Sequence, residues 1–139
     1  MMKVAYRWTC LAILLLVTGC TSLRPDTPPP KPSTNVAVVS LLNKAKAQYT
    51  SGQLHEASAS LERAVRIEPR NPYLWQELAR VRLEQGQYRQ AENLAAKSNS
   101  LIAIDGALRR ENWRIIGQAR TKQGDLQGAR TAFDKAAQR

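Results

Sequence analysis

Two hydrophobic patterns divide the chain. Trp8 to Val17 is almost unbroken apolar sequence, whereas from Val36 onward apolar residues recur at intervals between polar ones. Comparing the second region with itself reveals an internal repeat with a period of about 34 residues. Leu41 falls on Trp75, Ala45 on Ala79, Gly52 on Gly86, Leu54 on Tyr88 and Ala57 on Ala91. A third copy carries Trp113, Gly117, Gly124, Leu126, Ala129, Phe133 and Ala136, its offset from the second being longer by four. The four added residues are about one helical turn, so a helix longer by a turn near Ser100–Leu108 keeps the facing side chains in phase.

The pattern predicts six helices, at about 36–50, 54–68, 72–85, 88–103, 107–123 and 126–138. Gly52, Gly86 and Gly124 each sit where a helix must end, and glycine takes the left-handed conformation at least cost. Asn71-Pro72 reads as a helix start, with Asn as cap and Pro in the first turn. Small residues, among them Ala45, Ala57, Ala79, Ala91, Gly117 and Ala129, let paired helices approach closely. In the last helix, Leu126, Ala129, Phe133 and Ala136 are expected to face inward. Gln127, Arg130, Asp134 and Gln138 then face water, and the competing arrangement is dimerisation over the open end.

A period of about 34 residues with Trp75, Leu78, Ala79, Gly86, Tyr88 and Ala91, and with Leu61, Ala64 and Pro69 in the first copy, resembles the tetratricopeptide repeat. The resemblance covers residues 36–139. It implies an all-α solenoid of about three helix-turn-helix repeats, at about 38–71, 72–105 and 110–139. Trp75 and Trp113 then occupy core positions of their repeats.

The N-terminal apolar run is shorter than the roughly 20 residues a bilayer span needs. It follows Lys3 and Arg7 and ends in Val17-Thr18-Gly19-Cys20, which resembles the lipobox of bacterial lipoprotein precursors. The resemblance implies that residues 1–19 are a signal peptide and that Cys20 carries lipid, the only prosthetic group expected. Thr21, where an Asp would favour inner-membrane retention, implies the outer membrane and its periplasmic face. Cys10 leaves with the signal, so no intramolecular disulfide is available to the mature chain.

Residues 20–35 join this anchor to the repeats and hold five of the seven prolines. Proline fixes φ and lacks an amide hydrogen, which predicts a disordered, extended spacer reaching roughly 45 Å at about 3.1 Å per residue. A PxxP ligand for another domain is the alternative.

Charge and chemistry narrow the function further. The net charge of +10 over 139 residues, +8 once Lys3 and Arg7 are removed, calls for an acidic partner. A periplasmic address makes nucleic acid an unexpected one. The mature chain has one histidine, His55, expected to be exposed, and Cys20 is blocked, which is too few ligands for a metal site. No GxSxG elbow and no phosphate loop is present, so an enzyme is disfavoured.

The informative surface is the groove that first helices line in the tetratricopeptide family. Carried onto this chain, the groove positions are Lys46 and Tyr49, then Tyr73, Gln76 and Arg80, then Arg114, Gln118 and Lys122. Arginine grips carboxylates in a fork and tyrosine offers rigid contact area, so an acidic or C-terminal peptide segment is the expected ligand. The convex cluster of Arg63, Arg66 and Arg70 is the competing surface. Lipobox, tether and short repeat domain together resemble the small outer-membrane lipoproteins of pseudomonads and their relatives that activate a peptidoglycan synthase. That resemblance implies a class A penicillin-binding protein as partner and a monomer or weak dimer. The alternatives are a pilotin-like or outer-membrane assembly factor, or an adaptor for a periplasmic protease or hydrolase.

Overall fold

The computed structural model describes residues 33–103 and 106–138. The apolar N-terminal run, Cys20 and nearly all of the proline-rich spacer lie outside the described residues. Six α-helices follow one another: α1 (Val36–Thr50), α2 (Leu54–Ile67), α3 (Pro72–Glu84), α4 (Tyr88–Leu101), α5 (Ala107–Gln123) and α6 (Leu126–Ala137). The described residues contain no strand.

Local chemistry sets the helix ends. The Asn35 side chain accepts the Ala37 amide at 2.9 Å, and Asn71 accepts that of Tyr73 at 3.1 Å with Pro72 in the first turn. These caps satisfy donors that have no partner within the helix. Asp125 does the same for Gly128 at the start of α6. The turns within the pairs place Gly52, Gly86 and Gly124 at φ of 76°, 73° and 83°, where a Cβ is strained.

Each helix packs on its sequence neighbour, so three hairpins (α1–α2, α3–α4 and α5–α6) stack in order. Alanines make the seams: Ala57, Ala64, Ala79, Ala91, Ala95, Ala119 and Ala132 are all fully buried. Leu74, Ile115 and Ile116 fill the space between them, each contributing about 1.5–3 kcal/mol of burial. Trp75 and Trp113 are half-buried against the two halves of this core, as their repeat positions imply.

The extra turn of the third repeat appears at the start of α5, which has 17 residues against 13 in α3. The hairpin turns keep their register because the insertion is confined to one helix and its leading linker.

The last helix departs from expectation in two positions. Ala129 and Ala136 face inward with Ala132, but Leu126 is 69% exposed and Phe133 41% exposed. α6 packs chiefly against α5. With no described helix on its outer side, the edges of its apolar stripe have nothing to cover them. The ring of Phe133 instead lies across Gly117, where a Cβ would come within 2.6 Å of it. Gln127, Arg130, Asp134 and Gln138 are exposed as expected.

Candidate functional site

First helices of successive pairs share one side of the stack. α3 and α5 touch there directly, through Gln76, whose amide donates to Leu108 O and to Asn112 Oδ1, both at 3.1 Å. α1 and α3 do not close in this way. They enclose a cleft of about 580 Å³.

Four of the expected groove residues meet in this cleft: Lys46 and Tyr49 from α1, Tyr73 and Arg80 from α3. Lys46 and Arg80 hold equivalent repeat positions and line the same cleft. Lys46 is exposed and makes no ion pair among the described residues. Apolar side chains, Val39, Leu42, Leu61 and Val81, supply the floor.

The remaining four are placed differently. Gln76 is only 3% exposed, and its amide is used up in the α3–α5 seam, so it is not part of the open groove surface. α5 presents two acceptors to it: Leu108 O in the added first turn, and Asn112 at the position that Leu74 holds one repeat earlier. Arg114 and Gln118 line a separate hollow of about 300 Å³ with Phe133, at the far end of the stack. Lys122 is exposed and lines neither space. On the opposite side Arg63, Arg66 and Arg70 are exposed.

A residue the sequence reading passed over, Glu77, stands in the middle of the cleft. It lies one turn beyond Tyr73 and three residues before Arg80, a spacing that puts all three on one helix face. Desolvation pushes the Glu77 carboxyl above the usual carboxylate range, against the pull of Arg80 and of a hydrogen bond with Tyr73. Desolvation, then the charge of Glu77, raises the Tyr73 phenol in turn. Tyr49 is raised too, first by burial and then by Glu84.

A chain of charges continues from here. Arg80 lies 3.8 Å from Glu77 and 3.7 Å from Glu111, and Glu111 in turn is 2.9 Å from Arg114. Arg80, Glu111 and Arg114 are substantially exposed, so these pairs add little to stability. Their effect is to tie Arg80 to two carboxylates and leave Lys46 as the cation of the cleft with no ion pair among the described residues.

An apolar floor, two half-buried phenols and a cationic rim make a surface for holding an extended chain. The described residues hold no group of three or more His, Cys, Asp or Glu able to bind a metal. No helix among them is long and apolar enough to cross a membrane. The fold and cleft thus define a helical-repeat protein-interaction domain.

Comparison with known proteins places it more closely. The tetratricopeptide repeat family matches residues 48–99. The globular C-terminal domain of P. aeruginosa LpoP is 45% identical, with a TM-score of 0.72 over 75% of this chain and 98% of that one. The chain belongs to the tetratricopeptide-repeat family, and its helical domain is of the LpoP type. Two more distant structures share the fold. The N-terminal domain of stress-induced protein-1 from C. elegans is 19% identical, with a TM-score of 0.67 over 74% of this chain and 86% of that one. The second repeat domain of Spaghetti (RPAP3), bound to the HSP90 peptide SRMEEVD, is 22% identical, with a TM-score of 0.65 over 73% and 90%. A search of curated proteins found no match.

Proposed function

We propose that this protein is a lipid-anchored periplasmic adaptor that binds a peptidoglycan synthase through the α1–α3 cleft and stimulates it. The observation that carries the reading is the 45% identity across nearly the whole LpoP domain, a protein of the pseudomonads. The lipobox-like Val17–Cys20 and the proline-rich spacer supply the other two parts of an outer-membrane lipoprotein activator. In this reading Cys20 holds the membrane and residues 20–35 span part of the periplasm. The cleft receives a segment of a class A penicillin-binding protein, acidic or ending in a carboxylate, against Lys46. Bidentate or charge-assisted hydrogen bonds to such a carboxylate are shorter and stronger than neutral ones. The protein itself performs no bond chemistry.

The test is photo-crosslinking in cells of the source organism, with the reactive residue replacing Lys46, which is exposed in the cleft. A class A penicillin-binding protein as the dominant adduct, together with faster glycan polymerisation when the protein is added to that synthase, supports the reading. Adducts with secretion components or a protease point to the assembly or protease-adaptor roles instead.

A further inference from the structure

Two second helices of the stack receive the first helix of the next repeat: α3 packs against α2, and α5 against α4. The two seams share one pattern. α3 brings Leu74, Leu78 and Val81, all buried, followed directly by Arg82, whose guanidinium pairs with Glu62 of α2. α5 brings Asn112, Ile116 and Ala119 at the same positions, followed by Arg120, which donates to Glu92 of α4 at 2.8 Å.

α6 repeats the receiving side of α2. Leu126 stands at the position of Leu54, Phe133 at that of Leu61, Asp134 at that of Glu62 and Ala137 at that of Val65. In α2, Leu61 and Val65 are buried in the core that also holds Leu74, Leu78 and Val81, and Leu54 packs on its edge. In α6 all four are exposed. Asp134 makes no ion pair among the described residues, where Glu62 has Arg82. The hollow beside Phe133 has the same origin. Its Arg114, Gln118 and Phe133 are the counterparts of Leu42, Lys46 and Leu61, which line the α1–α3 cleft. The hollow is that cleft without its α3 wall.

We infer that the outer face of α6 is a second docking surface, whose occupant is an amphipathic helix of a partner protein seated as α3 is seated on α2. The helix carries apolar residues at i, i+4 and i+7 and an Arg or Lys at i+8. Grooves that take helices read anchors at this spacing. The cation meets Asp134. Position i is apolar for a stated reason: the polar choice in α5, Asn112, donates to Ser98 and Asn99 of α4, and α6 has Ala136 and Ala137 in their places. Arg130, exposed one turn before Asp134, stands where α2 has Ser58 and offers a site for a carboxylate on the flank of the occupant. A helical-repeat stack is held by contacts between neighbours alone, so a foreign helix with these residues can stand where a further repeat would. The surface is separate from the α1–α3 cleft and does not depend on its role.

A second copy does not meet these terms. Its free first helix is α1, where the places of Leu74, Leu78, Val81 and Arg82 are held by Ser40, Lys44, Ala47 and Gln48. Head-to-tail stacking would bury the exposed Lys44 ammonium on the apolar face and leave Asp134 without a cation, both at a cost in desolvation. Joining two copies through α6 opposes chains that each carry a net charge of +10.

The probe is a labelled synthetic peptide with the sequence of residues 71–86, α3 with both of its ends. It is titrated by fluorescence anisotropy against the chain from residue 20 carrying Cys20→Ser. Saturable binding with a dissociation constant below about 1 mM is expected. Asp134→Arg should weaken it about fivefold or more, and Arg82→Glu in the peptide should restore binding to that variant, as a charge swap across one contact requires. Phe133→Ser should weaken binding about tenfold. Because Phe133 lies over Gly117, that variant is checked by its melt; Asp134 is exposed, so the charge swap stays readable whatever Phe133→Ser does to the fold. A peptide of residues 35–51, which carries α1, should not bind. Absence of saturation, equal binding of the α1 peptide, or an affinity unchanged by Asp134→Arg would overturn the inference, the last because the peptide would then occupy a seam other than α6. A dimer in analytical ultracentrifugation that Phe133→Ser dissolves would assign the face to a second copy and overturn it as well.

Discussion

Gln76 donates its side-chain amide to Asn112 Oδ1 at 3.1 Å, and both residues are almost wholly buried. The pair continues into a polar seam, because Asn112 donates to Ser98 Oγ at 2.7 Å and Ser98 donates to Pro72 O at 2.7 Å. Three helices and a helix start are joined by groups that have almost no access to water. Removing one partner leaves the others desolvated and unpaired, which costs about 1–3 kcal/mol. Asn112→Ala and Gln76→Ala should each lower stability by that amount in chemical denaturation. The double variant should lose clearly less than the two added together, because the residues share one network.

Ala57 and Ala91 are both fully buried in helix seams. Ala91→Trp or Ala57→Trp should overpack the seam and destabilise by at least about 1–3 kcal/mol. For a domain of this size each kcal/mol lowers the melting temperature by about 4–8 °C. Ala96→Trp, on the exposed side of α4, should melt like the parent. Thermal melts of the three variants check the repeat register directly.

Glu77 makes the cleft sensitive to pH. Burial raises its carboxyl above the unfolded value, opposed by Arg80, Tyr73 and Lys46 and reinforced by Glu111. A group with a raised folded pKa favours the fold when protonated, so its contribution is complete below the ordinary glutamate range. It is lost as pH rises through the higher folded value. Measured against Glu77→Gln, the parent protein should become relatively less stable over that interval in melts between about pH 4 and 7. A constant difference would show that Glu77 titrates normally.

Lys46 acts on Glu77 from a distance but makes no ion pair among the described residues, whereas Arg80 is shared between Glu77 and Glu111. If the cleft takes the proposed synthase partner, Lys46→Glu should weaken its capture about tenfold or more while leaving the circular dichroism melt unchanged. Arg80→Glu should disturb both, since it sets a third carboxylate beside two others. A pull-down with purified synthase and a melt of each variant separate the two effects.

Cys20→Ser should abolish incorporation of labelled palmitate and move the protein from the membrane to the soluble periplasmic fraction. Retained labelling would refute the lipobox reading of Val17–Cys20.

Much of this architecture was legible in the residue pattern, for a physical reason. Helix ends depend on neighbours in sequence: a cap such as Asn71, a proline at the first turn, a glycine able to take positive φ. Close helix pairs depend on small residues at a fixed period, and the internal repeat displays them. Six helices, their order and the buried alanines follow from interactions of that local or strictly repeating kind.

Departures from the repeat were settled only in three dimensions. Gln76 occupies a groove position by count, yet Leu108 O in the added turn of α5 and Asn112 one turn further on accept its amide and hold its side chain inside. Leu126 and Phe133 have the apolar character of core residues, yet α6 has no described helix on its outer side, so they stay exposed. Glu77 looks like an ordinary surface acid until the meeting of α1 and α3 removes water from it. The sequence by itself determined the helices, their pairing and the small residues at their seams, because those depend on local propensity and spacing. Which side chains meet across α1, α3 and α5, and so what the cleft presents to a ligand, was decided by the tertiary structure, because burial and hydrogen bonding there depend on how neighbouring repeats approach one another.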